Sequence, residues 1–198
     1  MRPFRQTAIL ISLALSILFT RTLAAAEAPS ARPYAPFEFL IGEWAISAES
    51  GGPALGIARF RWGPNQSYIW YSSSFLVNGS ERPHFEGLLV WNGVHKNLDM
   101  LIAMDLERGL AQETGVMSVD PDGTVVREIT ASFSEGTHPI GQPVVGPEGA
   151  TARFRQTFRQ AGTDKVLTRV MRQAGKDWVA TFPGSDRLLM TRRPGAAP

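Results

Sequence analysis

The chain has 198 residues, 43% of them apolar, with 20 basic against 18 acidic side chains and no cysteine. That length and apolar fraction are enough for one domain with a packed core. The lack of cysteine excludes disulfides, thiol catalysis and zinc–thiolate centres, so burial must hold the fold.

Arg2 and Arg5 precede an apolar run from Ala8 to Phe19, and Thr22-Leu23-Ala24-Ala25-Ala26 follows with small residues. A charged start, a short apolar run and a small-residue exit predict a cleavable signal peptide over residues 1–26. The run is too short for a membrane helix, which needs about 20 apolar residues. The expected location is therefore periplasmic or extracellular. Loss of Arg2, Arg5 and Arg21 takes the 20 basic residues to 17 against 18 acidic ones, a net charge of −1. No basic surplus is left to attract nucleic acid. Residues 27–36, rich in Ala and Pro, read as a linker to a single domain over residues 37–194.

Phe37 to Ile41 lies between Pro36 and Gly42 and suits one short helical turn. Strand-like runs and turn signals then alternate: Trp44–Glu49, Leu55–Trp62, Tyr68–Val77, His84–Trp91, Leu98–Met104, Leu110–Val119 and Thr124–Phe133. Ala152–Arg159, Val166–Gln173, Trp178–Phe182 and Leu188–Arg192 complete the series. Asn78-Gly79, Asn92-Gly93 and Asp122-Gly123 favour tight hairpins because these residues tolerate positive φ. Asp120-Pro121-Asp122-Gly123 has the start of a calcium loop, but Ala131 stands where the bidentate glutamate belongs, so a hairpin turn is expected. Ten or eleven short strands with short connectors predict an all-β, antiparallel up-and-down meander, closed into a barrel to remove its edges. The one long connector, 134–149, is rich in Gly and Pro and reads as a functional loop or a structureless one.

Arg153, Arg155 and Arg159 share one face of their strand, and Phe154, Gln156 and Phe158 share the other. Phenylalanine inward and arginine outward argues against a lipid-facing barrel. Residues 150–198 hold ten basic and three acidic groups, while 27–149 hold seven and fifteen. This split predicts late basic strands lying beside early acidic ones on closure, or else an anion-binding face.

Phe39-Leu40-Ile41-Gly42-Glu43-Trp44 resembles the opening of lipocalin-like (calycin) domains, and Glu86-Gly87 resembles a later strand of uncharacterised bacterial families of that type. The resemblance implies a calycin-type barrel in which Gly42 and Trp44 begin the first strand. It also implies that Trp44 closes the barrel floor and that Arg192 or Arg193 from the last strand packs across it. A related branch binds haem through a late histidine. No histidine follows His138 here, and no cofactor is expected.

Glu86, Asp99 and Arg127 each interrupt an apolar strand. Turned inward, they would form a polar patch in an apolar cavity, as small-ligand sites are built; turned outward, they belong to ordinary amphipathic strands. Tyr68, Trp70, Ser72 and Ser74 share one face of their strand, and aromatic walls beside small polar groups suit a pocket. Ile69, Tyr71, Phe75 and Val77 make a more apolar opposite face that competes for the interior. His84 and Glu86 share a face by the period-two rule, but no second cluster completes a metal site, and none is expected. The leading expectation is a binding protein for a small, largely apolar ligand, lined by Tyr68, Trp70, Glu86, Asp99 and Arg127. The alternatives are an enzyme using Glu86 or Asp99 as acid or base, and an envelope interaction protein with a filled barrel.

Overall fold

The computed structural model describes residues 33–104, 111–137, 139 and 143–194. The segment expected to be a signal peptide, most of the expected linker, residues 105–110 and part of the 134–149 connector lie outside the described residues. From Pro36 onward the chain forms one compact unit.

A 3-10 turn, Ala35–Leu40, leads into eleven strands. They are β1 (Gly42–Ala48), β2 (Gly56–Trp62), β3 (Ile69–Val77), β4 (Ser80–Asn92), β5 (Asn97–Met104) and β6 (Ala111–Val119). The series continues with β7 (Val125–Phe133), β8 (Ala150–Gln160), β9 (Lys165–Ala174), β10 (Asp177–Ala180) and β11 (Leu188–Arg192). Each strand from β1 to β9 pairs antiparallel with the next, β9 pairs with β11, and β11 pairs with β1. The sheet is thus a closed ring of ten strands. The eleventh, β10, pairs with the C-terminal half of β9 and stands outside the ring. Closure satisfies the edges that an open meander would expose.

The ring is packed at one end. Trp44, Phe60, Leu89, Leu98, Met117, Val125, Phe158, Val166 and Met190 have no exposed surface there, and the turn adds Phe37 and Leu40. Trp44 Nε1 donates to Leu40 O at 2.7 Å. The Arg192 guanidinium lies 4.2 Å from the centroid of the Trp44 indole. It also donates to Ile41 O at 2.7 Å and Phe39 O at 3.2 Å. Gly42 has φ +134°, and a Cβ there would lie 2.4 Å from Arg192 Nη1. Glycine is therefore required where the turn, the first strand and the closing arginine meet. Arg193 makes no part of this stack; it pairs with Glu43 on the outside.

The charge split has the first of its two expected origins at several points. Arg193 meets Glu43 across the closure, and Arg155 donates to Glu128 across β7–β8. Glu43 and Glu81 also hold Arg59 between them, at 2.8 and 2.7 Å. The Asp120–Gly123 segment is a hairpin turn in which Asp122 accepts from the Thr124 backbone at 2.9 Å. On β8, Gln156 and Phe158 are buried while Arg153 and Arg159 are exposed. Among the described residues no helix is long and apolar enough to cross a membrane.

Candidate functional site

The other end of the ring is not filled. It holds a cavity of about 170 Å³, walled mainly by aromatic and aliphatic side chains: Phe75, Phe85, Phe133, Phe154, Phe182, Ile129, Met104 and Leu188. Thr137 and Pro139, from the long connector, also line it. Val145 of the same connector packs on Ala131 and Phe133. Backbone bonds from Gly136 N to Val145 O and from Val145 N to Thr137 O, both 2.9 Å, hold this part of the connector together.

A buried polar network crosses the wall. Arg127 sits on the inner face of β7, 2% exposed, in line with Val125 and Ile129. Its Nη2 pairs with Glu113 of β6. Its Nη1 donates to Gln156 Oε1 at 2.8 Å and, at the long limit, to Tyr71 Oη at 3.5 Å. Gln156 Nε2 donates onward to Thr168 Oγ1 at 3.3 Å. The guanidinium also lies over the Tyr71 and Phe85 rings, 5.1 and 5.2 Å from their centroids. Tyr71 is in turn stacked on Phe60 with centroids 4.2 Å apart. The network therefore joins the packed floor to the open half.

Two cavity-lining groups are buried with no hydrogen-bond partner among the described residues: Arg127 Nε and Thr181 Oγ1. Burial pushes the Glu113 carboxyl above its ordinary range; the nearby Arg127 charge opposes this without cancelling it. Burial likewise pushes the Tyr71 phenol up. A raised carboxyl means that the folded chain keeps a proton the unfolded chain releases. The contribution of Glu113 to stability is therefore greatest below the ordinary carboxylate range and declines as pH rises through its folded value. Glu113→Gln is expected to remove that decline. Denaturant unfolding followed from acid to neutral pH checks it, and equal slopes for variant and parent would refute it.

Of the five residues expected to line the pocket, Arg127 does, and Tyr68, Trp70, Glu86 and Asp99 do not. Trp70 is 38% exposed on the outer face of β3. Glu86 is exposed on β4. Asp99 is exposed on β5, where it accepts from Asn92 Nδ2 at 2.8 Å. Tyr68 lies just before β3, its ring against Gly63, where a Cβ would come within 2.4 Å of it. The inward face of β3 is the competing one, with Ile69 and Tyr71, because Tyr71 stands opposite the buried Phe60 of β2. A bulge then breaks the alternation. Ser73 pairs with Phe85 and Ser74 with Pro83, leaving His84 as the extra residue of β4. His84 and Phe85 consequently both line the cavity, while Glu86 faces out. Gly87, inward after the bulge, would place a Cβ 2.1 Å from Leu101 O, so the β4–β5 pairing there needs glycine.

Glu113, Gln156, Tyr71 and Thr168 complete the site. Gln156 follows from the face it shares with Phe154 and Phe158. Glu113 had a comparable signal, two positions from Gly115 and four from Met117 on the inner face of β6. Among the described residues no group of three or more His, Asp or Glu side chains is placed to hold a metal ion.

No protein-family model matches the chain. No curated protein matches it either. Among solved structures it is similar to the crystal structure of Rv2717c from M. tuberculosis, at 17% identity and a TM-score of 0.47, over 82% of this chain and 98% of that one.

Proposed function

We propose that this is an exported, calycin-like binding protein that takes a small, largely apolar molecule into the open half of its barrel. The observation that carries the reading is the cavity itself: about 170 Å³, mostly apolar, beside a buried network that leaves Arg127 Nε and Thr181 Oγ1 unpartnered among the described residues. Apolar walls supply affinity, and a few fixed polar groups supply orientation. A barrel that served only as a scaffold would gain stability from filling this space, since each missing contact weakens the core. Glu86 and Asp99, the carboxylates an acid–base enzyme would have used, point away from the cavity. Export to the periplasm or beyond rests on the leader.

Titration of the purified protein with a small, uncharged fluorescent apolar probe tests the reading. Saturable binding is expected in the parent chain. Ser73→Phe, which places a large ring on the cavity wall, should abolish it. Trp70→Ala, on the outer face, should leave it unchanged. Absence of saturable binding across a panel of apolar probes, or full binding to Ser73→Phe, would refute a ligand site in the barrel.

A further inference from the structure

The outer wall of the barrel carries an apolar patch away from the cavity. Along one row of the sheet Trp70 of β3 stands opposite Leu88 of β4, and Leu88 stands opposite Leu101 of β5. Trp70 is 38% exposed and Leu101 59%. In the next row Val90 of β4, also exposed, and Val116 of β6 lie on either side of Asp99. Ala103, exposed on β5, extends the patch past Leu101 in the other direction. A solvated antiparallel face ordinarily presents polar side chains, as β7 and β8 do with Thr130 and Arg153. Apolar side chains contiguous over four adjoining strands are instead the kind of surface that marks contact with another molecule.

Two charges of opposite sign stand at its border. Arg61 of β2 is opposite Trp70 at one end of the row, and Glu86 lies two residues from Leu88 on β4. Both are exposed, and neither side chain makes a hydrogen bond or ion pair among the described residues. Other charges on the outer wall are engaged: Arg59 with Glu43 and Glu81, Asp99 with Asn92, and Arg155 with Glu128. Arg61 and Glu86 are therefore available to groups of opposite charge on whatever covers the patch. A purely anionic partner would meet Glu86 and Asp99, and a purely cationic one would meet Arg61. A partner that carries both signs fits.

We propose that the patch is covered by the same patch of a second copy of this chain, related by a two-fold axis. A surface that meets its own equivalent must carry complementary groups itself, and Arg61 and Glu86 are such a pair. They stand two strands and one side-chain row apart, roughly 12 Å at spacings of about 4.8 Å between strands and 6.8 Å between same-face residues. A two-fold lying in the interface midway between them brings Arg61 of each copy to Glu86 of the other. It also lays Trp70 against Leu88 of the second copy and brings Leu101 over the start of β3. The apolar part measures roughly 14 by 14 Å on the same spacings. A standard interface buries about 800 Å² a side, so this contact is a weak one, with a dissociation constant on the order of 10–100 μM. Because the patch faces outward, the contact does not depend on what the cavity holds.

Sedimentation velocity of the purified protein between about 10 μM and 1 mM brackets such a constant. A concentration-dependent equilibrium of monomer and dimer is expected. Arg61→Glu and Glu86→Arg each place two like-charge pairs in the contact, and each should weaken the dimer by on the order of tenfold or more. An equimolar mixture of the two variants should recover it, because every pair between the chains is then opposite in sign. Recovery on mixing cannot arise from an effect within one chain. Leu101→Lys should leave a monomer. All three positions are exposed, so each variant is expected to keep the barrel, which circular dichroism checks. A parent chain that stays monomeric over the whole range, a dimer that survives all three substitutions, or a mixture that stays monomeric overturns the proposal.

Discussion

Arg127→Met is expected to lower the unfolding free energy by about 3–5 kcal/mol, the usual result of removing one partner from a buried ion pair. The loss comes less from missing attraction than from what remains. Glu113, 6% exposed, loses the one charge that favours its ionised form and must hold a proton among apolar side chains. Gln156 Oε1 loses its donor at 2.8 Å, and the Tyr71 and Phe85 rings lose the cation above them. Adding Glu113→Gln should return part of the loss, since the double variant needs no proton uptake to keep this position neutral. The pair therefore forms a thermodynamic cycle with a large coupling term. Denaturant midpoints of the four chains measure it. Additive effects would show that Arg127 and Glu113 act independently and that the network is not a unit.

Trp44→Ala should be comparably damaging, at about 3–5 kcal/mol. The indole has no exposed surface, and three contributions vanish together: its burial, its bond to Leu40 O at 2.7 Å and the Arg192 contact. For a domain of this size the melting temperature should fall by roughly 10 °C or more. Arg192→Met isolates the cation–π part and the bonds to the entering turn, and should cost less, since such a contact contributes on the order of 1 kcal/mol. A fall of only a degree or two for Trp44→Ala would mean that the floor is held by the surrounding aliphatic side chains instead.

The barrel was legible in the sequence because its signals are local. Turn residues mark nearly every hairpin, and the strands between them are short enough that neighbouring pairing is the natural arrangement. The floor was legible for a related reason: Gly42 and Trp44 stand two residues apart, so one short stretch carries both the sharp turn and the large side chain beneath it. The wall of the cavity was harder. Strand β3 offers aromatic residues on both faces, and no property internal to it says whether Trp70 or Tyr71 turns inward. The deciding information lies on β2, where Arg59 and Arg61 leave Phe60 as the inward residue and the hairpin register sets Tyr71 opposite it. Further along, the bulge at His84 offsets the alternation of β4 by one residue. A period-two reading carried through it places Glu86 and His84 on one face, whereas the fold sends Glu86 outward. Arg127 was open between the two faces in the same way; on its regular strand the fold turns it inward with Val125 and Ile129, which flank it at two-residue spacing.

The unequal packing of the two ends has a consequence for how such a chain can change over generations. Side chains at the sealed end touch one another on every side, so almost any replacement there threatens folding. Around the opening, Phe75, Phe85, Phe154 and Phe182 are only half-buried and face space as well as neighbours. Exchanges among them alter the shape of the opening at little risk to the scaffold. Selection for a new small molecule can therefore act on the rim while selection for a stable fold acts on the base, with Arg127 and its partners marking the boundary between the two.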